Sequence, residues 1–130
     1  MTMVLFPDGI PIHSFEHRLR SRYSETDKMG YVYYGRYLEY FEQARTEMIR
    51  SMGVHYSTME KDGIMLPVIH SEIDYKHPLY YDEEILIKVH VYAVPSVKLV
   101  TYYEVVAQER DQLCAVSYTH LTLPTRYRVW

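Results

Sequence analysis

A single interval of helical spacing, set among runs of strict alternation, constrains this chain more than any other feature. From Gly35 to Met52 the apolar positions Leu38, Phe41, Ala44 or Arg45, Met48, Ile49 and Met52 recur at steps of three and four. Glu39, Glu42, Gln43, Glu47 and Arg50 fall between them, as on an amphipathic helix. Such a helix is a rod of roughly 27 Å, and Gly53 is placed to stop it. One further short turn is expected at Ser57 to Lys61, ended by Gly63.

The rest of the chain alternates. His13 to Tyr23 sets Phe15, His17, Leu19, Ser21 and Tyr23 against Glu16, Arg18, Arg20 and Arg22, which reads as a half-buried strand with a charged outer face. Leu66 to His77, Glu84 to Val94 and Val97 to Gln108 repeat the pattern, with Pro78 and Pro95-Ser96 as stops and Asp82-Glu83-Glu84 and Glu109-Arg110-Asp111 as connections. Met1 to Ile12, with Pro7, Gly9 and Pro11, reads as a loose lead-in arm. One helix then covers one apolar face of an antiparallel meander, an α+β arrangement. Strands this long call for a curved sheet, and its open edges for at least a dimer.

Composition narrows the functional classes. At 130 residues the chain is most simply one domain spanning 1–130. The formal net charge is −3 with both signs interleaved, which lacks the footprint of a nucleic-acid binder. No stretch approaches the roughly 20 apolar residues of a membrane span, and the one cysteine, Cys114, can form no intrachain disulfide. A cytoplasmic protein without a bound metal or cofactor is expected. The 15 tyrosines suit half-polar pockets and interfaces, although strand propensity also accounts for them.

No phosphate-cradling glycine loop, metal spacing or Ser/His/Asp set is present, so the chemistry narrows to Arg22–Tyr37, RYSETDKMGYVYYGRY. Asp27 stands there between a strand and a helix whose N-terminus offers unpaired amides and the positive end of a dipole. A carboxylate so placed can attack a carbonyl carbon, or activate water against it, while the amides hold the developing oxyanion. With Ser24 and Thr26, the same Asp27 can equally be a turn cap.

The segment YSETDKMGYVYYGRYLEYFEQARTEM resembles the signature region of the hotdog-fold acyl-CoA thioesterases of the 4-hydroxybenzoyl-CoA thioesterase and YbgC-like type. The resemblance runs from about His13 to Ala115. It implies a hotdog fold, a long central helix wrapped by a curved antiparallel sheet, acting on acyl-CoA as a homodimer or homotetramer with the site at the subunit interface. It also implies that Asp27 is catalytic, as nucleophile or general base, and that the backbone amide at Tyr34, with Gly35 adjacent, polarises the thioester carbonyl. YbgC-like members often carry His at the Tyr34 position and the 4-hydroxybenzoyl type has Tyr, which leaves the subfamily open. Met29 and Tyr33 are candidates for the acyl-pocket wall. His70, in the strand after the helix, is the one histidine singled out for substrate contact. A hotdog dehydratase or hydratase, and a non-catalytic binder of CoA esters, are the rival readings.

From Val116 the text changes character. VSYTHLTLPT, to Thr125, resembles the conceptual translation of a transposase-type sequencing adapter, with index sequence behind it. On that resemblance residues 116–130 replace a native last strand by one of acceptable alternation, and His120 and Arg126 receive no functional role.

Overall fold

The structure is a computed structural model that describes residues 4–51, 68–94 and 97–122. The elements run β1 (His13–Arg20), a short 3-10 helix (Tyr23–Glu25), α1 (Arg36–Ser51), β2 (Val68–Tyr75), β3 (Glu84–Val91), β4 (Lys98–Ala107) and β5 (Gln112–Thr122). The strands form one antiparallel sheet in the order β1-β3-β4-β5-β2. The short turn expected at Ser57 to Lys61 and the stops at Gly53, Gly63 and Pro95-Ser96 lie outside the described residues.

Alternation sets the faces as the sequence indicates. Ile85, Ile87, Val89 and Val91 of β3 and Leu99, Thr101, Tyr103 and Val105 of β4 are buried on the side that carries α1. Phe41 of α1 stacks on Tyr103 with ring centroids 4.5 Å apart. Burying each of Phe41, Met48 and Ile49 contributes about 1.5–3 kcal/mol. The helix presents a slightly different face from the expected one. Tyr37 and Tyr40 are buried, while Leu38 is 51% exposed. Tyrosine rings supply the apolar surface here, so the stripe is rotated away from the leucine.

Two other expectations are corrected. The first strand ends at Arg20, not Tyr23: Ser21 turns inward and donates its Oγ to the Tyr80 carbonyl at 2.6 Å, and Tyr23 is left exposed. The lead-in arm is not loose throughout but pinned at Val4 and Phe6. The Val4 amide donates to Asp74 Oδ2 at 2.6 Å, and Phe6 packs its ring against Tyr102, His90 and Tyr92 on the sheet face turned away from α1.

The ladder also runs through the C-terminal residues. β5 pairs with β4 from Gln112 to Thr122 and with β2 from Ala115 to Leu121, because the period-2 pattern of Val116 to Leu121 matches a strand.

Candidate active site

Asp27 sits in a tight hairpin whose geometry follows from its sequence. Asp27 Oδ1 accepts the Met29 amide at 2.8 Å and the Tyr31 amide at 3.1 Å, an aspartate bonding its own turn. The Gly30 amide closes the turn on the Asp27 carbonyl at 3.1 Å, and Gly30 has φ +80°, a conformation that favours glycine. The Asp27 amide donates to Tyr31 O at 2.7 Å, and Thr26 bridges to Val32. One carboxylate oxygen is therefore committed to the backbone. Oδ2 makes no hydrogen bond among the described residues.

Three supports hold this hairpin. From below, Tyr33 N donates to Glu25 O at 2.8 Å, and the Glu25 side chain, 5% exposed, accepts the Arg22 amide and the Tyr40 hydroxyl through Oε1. Burial, then the hydrogen bond to Glu25, pushes the Tyr40 phenol far above its usual range, so it remains a donor. From the side, Val32 N donates to Leu79 O at 2.8 Å and Tyr81 N to Gly30 O at 3.2 Å, with Tyr31 bridged to Tyr80. That side segment is itself clamped by Arg110, which donates Nε to Glu83 Oε1 at 2.6 Å and Nη2 to Pro78 O at 2.7 Å and lies 4.8 Å from the Tyr80 ring centroid.

The third support is the start of α1. The first helical amides, Arg36 and Tyr37, donate to the carbonyls of Tyr33 at 2.9 Å and Tyr34 at 3.2 Å. Among the described residues, the Tyr34 and Gly35 amides donate to no backbone acceptor. They lie at the positive end of the helix dipole, where a developing anion is stabilised. At Gly35 a Cβ would sit 2.8 Å from Cε1 of the exposed Tyr33 ring, so a side chain there would push that ring aside.

Asp27, Tyr31, Val32, Tyr33, Tyr34 and Pro78 line a cavity of about 190 Å³. The structure thus brings Asp27, Tyr33 and Tyr34 together, with Gly35 adjacent. Met29 is 72% exposed and contributes its amide to Asp27, and its side chain is not among the lining groups. His70 is not brought to the cavity. It lies toward the other end of β2, opposite His120, with its Nε2 3.6 Å from Glu72 and its ring 5.7 Å from that of Tyr118. A carboxylate oxygen free of partners, a pair of undonated amides and an apolar wall are the components needed to hold and attack an acyl carbonyl.

Sequence reasoning passed over Glu25, Tyr40, Tyr75 and Arg110. Tyr75 had a signal: alternation sets it with Ile69, Ser71 and Ile73, opposite His70, Glu72, Asp74 and Lys76, close before Pro78. Arg110 lay hidden in a charged connection. A separate polar relay, Ser14 Oγ to His90 Nδ1 at 2.8 Å and His90 Nε2 to Glu104 at 2.9 Å, lies on the face turned away from α1, apart from this cavity. No three described His, Cys, Asp or Glu side chains converge as metal ligands, and no described helix is long and apolar enough to cross a membrane.

The sequence pattern of the thioesterase-like superfamily matches residues 21–124. The chain belongs to that superfamily. The strand order and the long helix α1 of the described residues are those of the hotdog fold, as the resemblance implied. A putative acyl-CoA thioesterase, YneP, of Bacillus subtilis is 44% identical over 72 residues, covering 55% of this chain and 52% of its own length. A 1,4-dihydroxy-2-naphthoyl-CoA hydrolase of Synechococcus elongatus is 27% identical over 120 residues, covering 84% of this chain and 88% of its own. Among solved thioesterase-like structures, a DHNA-CoA thioesterase from Staphylococcus aureus superposes with a TM-score of 0.79 at 33% identity, covering 88% of this chain and 77% of that one. The chain spans about half the length of the Bacillus relative and of a putative esterase of Aquifex aeolicus, at 52% and 54%.

Proposed function

We propose that the chain is an acyl-CoA thioesterase that hydrolyses a thioester to free acid and thiol. The observation that carries this reading is the split role of the Asp27 carboxyl. Oδ1 is fixed by two amides of its own turn, Oδ2 makes no hydrogen bond among the described residues, and Asp27 lines one cavity with Tyr34, whose amide, like that of the adjacent Gly35, has no backbone acceptor among the described residues. In this reading the thioester carbonyl oxygen rests on those amides, and Oδ2 either attacks the carbonyl carbon to form an acyl anhydride, which water then hydrolyses to the acid and free Asp27, or takes a proton from the attacking water. The thiolate of CoA leaves and takes up a proton. Tyr33 borders the acyl group, and the nucleotide follows basic surface. The hydratase alternative expects a histidine paired with a carboxylate, and among the described residues no histidine lines the Asp27 cavity.

The reading includes a homodimer or homotetramer with the site at the subunit interface. In its support, β2 is an edge strand of the sheet and exposes Val68, Ile69 and Tyr75, the last of which touches Tyr34. A cytoplasmic location belongs to the same proposal, in keeping with a CoA ester as substrate. The chain is taken as one domain in which residues 116–130 stand in place of a native terminus, and genomic re-sequencing of those codons tests that part. The activity is tested by thiol release from acetyl-, octanoyl-, palmitoyl-, benzoyl- and 1,4-dihydroxy-2-naphthoyl-CoA. Hydrolysis of at least one is expected, and binding without thiol release on all of them would overturn the reading.

A further inference from the structure

We infer that Tyr75 is a positioning residue for the oxyanion donor, holding the Tyr34–Gly35 peptide through a hydrogen bond from its hydroxyl to the Tyr34 carbonyl. The inference rests on the thioesterase reading and deepens it. That carbonyl accepts the Tyr75 hydroxyl at 3.2 Å and the Tyr37 amide at 3.2 Å. The peptide bond is planar and trans, so its C=O and N–H point in opposite senses. Fixing the Tyr34 oxygen toward α1 and β2 therefore aims the Gly35 N–H away from both, and that amide has no backbone acceptor among the described residues.

Neither bond is short, since 3.2 Å is the long end of the N–H···O range and just past the usual O–H···O range, and the Tyr37 bond lies in the fraying first turn of the helix, so the carbonyl is held by the two together. Tyr75 adds an anchor from a different element. Its ring is fixed at 4.5 Å from that of Tyr34 and at 5.1 Å, edge to face, from that of Tyr37. The backbone just after it is tied down by Lys76 and His77, whose amides both donate to the Cys114 carbonyl at 2.8 and 3.1 Å. Burial, with the neighbouring Tyr34 and Tyr33, raises the Tyr75 phenol above its ordinary value and keeps it a donor at neutral pH. A carbonyl that accepts two hydrogen bonds also polarises the N–H of its own peptide, strengthening the bond it gives to an oxyanion.

The test is Tyr75→Phe, which keeps the ring and removes the donor. Turnover is expected to fall about tenfold to a hundredfold, with KM within about twofold, because the lost interaction serves the transition state. A merely structural role would not change the carbonyl of a bound substrate. In an Asp27→Asn background, the acyl-CoA that the wild type hydrolyses fastest should therefore show a smaller red shift of its thioester carbonyl stretch once Tyr75→Phe is added, by isotope-edited infrared spectroscopy. If Tyr75→Phe does not fold, a ring-fluorinated tyrosine at the same position, a stronger donor of the same shape, is expected to deepen the shift. Wild-type turnover in Tyr75→Phe, or a carbonyl stretch indifferent to either replacement, would overturn the inference. Full turnover in Asp27→Asn would instead overturn the thioesterase mechanism beneath it.

Discussion

The Tyr40 hydroxyl donates to Glu25 Oε1 at 2.9 Å, joining the second turn of α1 to the 3-10 helix that leads into Asp27. Both groups are buried, so the bond forms where an unmade partner is costly. Tyr40→Phe is expected to lower stability by about 1.5–3 kcal/mol, the range for a bond to a carboxylate. The same change should speed hydrogen exchange at the Tyr33 amide, which bonds the Glu25 carbonyl. Equal exchange in both proteins would show that the helix does not brace this loop.

Arg110 has a comparable role on the other side of the hairpin. Arg110→Ala would leave Glu83, whose side chain is only 16% exposed, with the Tyr80 amide but without its cationic partner, and would release the carbonyl of Pro78, a residue of the cavity wall. The pair is partly open to solvent, so the expected loss is about 2–3 kcal/mol rather than the full value for a buried pair. A double-mutant cycle with Glu83→Gln should give strongly non-additive losses; additive losses would mean the two residues act separately.

Stability should fall in acid for a stated reason. Burial alone would raise the Glu83 carboxyl, but the Arg110 hydrogen bond, the Tyr80 amide and the Arg110 charge hold it below the ordinary value of 4.5. At Glu104 the hydrogen bond from His90 outweighs burial with the same result. A carboxyl with a lowered folded pKa binds fewer protons folded than unfolded. Its contribution is complete above the unfolded value and is lost as the pH drops through it toward the folded one. Melting temperature is therefore expected to hold above the ordinary carboxylate value of 4.5 and to drop as the pH falls through and below it. Glu104→Gln should shallow that drop; an unchanged acid limb would contradict the assignment.

Gly35→Ala tests the tightness of the loop-to-helix junction. The added methyl would meet the Tyr33 ring at 2.8 Å, and that ring is exposed enough to swing. Little stability should be lost, whereas the displaced ring changes the cavity wall. An increase in KM, with kcat/KM falling by up to about a hundredfold, is the expected signature. Unchanged kinetics would remove Tyr33 from the substrate pocket.

The fold was legible because two periodicities carry it. The alternation of Ile85, Ile87, Val89 and Val91 and the three-and-four spacing through Phe41, Met48 and Ile49 each name a buried face without reference to the rest of the chain. Leu38 misled because a tyrosine at position 37 or 40 counts as half polar in sequence, yet both rings are buried: the Tyr40 hydroxyl bonds Glu25, and the Tyr37 ring packs against Tyr40 and Tyr75 while its hydroxyl has no partner among the described residues. At the site, the Asp27 turn could be read locally, since an aspartate three residues before a glycine makes bonds only to its near neighbours. Tyr75 and Arg110 could not. They reach the site from β2 and from the β4–β5 turn, 41 residues from Tyr34 in one case and 32 from Pro78 in the other, and such contacts leave no periodic trace. His70 drew notice for its place in the strand after the helix, but the strand carries it several residues away from Tyr75 and the cavity.

Turnover of Asp27→Asn on the best acyl-CoA of the panel tests the central claim most directly. The asparagine oxygen can still accept the Met29 and Tyr31 amides, so the hairpin and the melting temperature should be preserved. With the charged Oδ2 replaced by an amide nitrogen, kcat is expected to fall by about a hundredfold to ten-thousandfold. A folded Asp27→Asn protein that releases thiol at the wild-type rate would contradict the account.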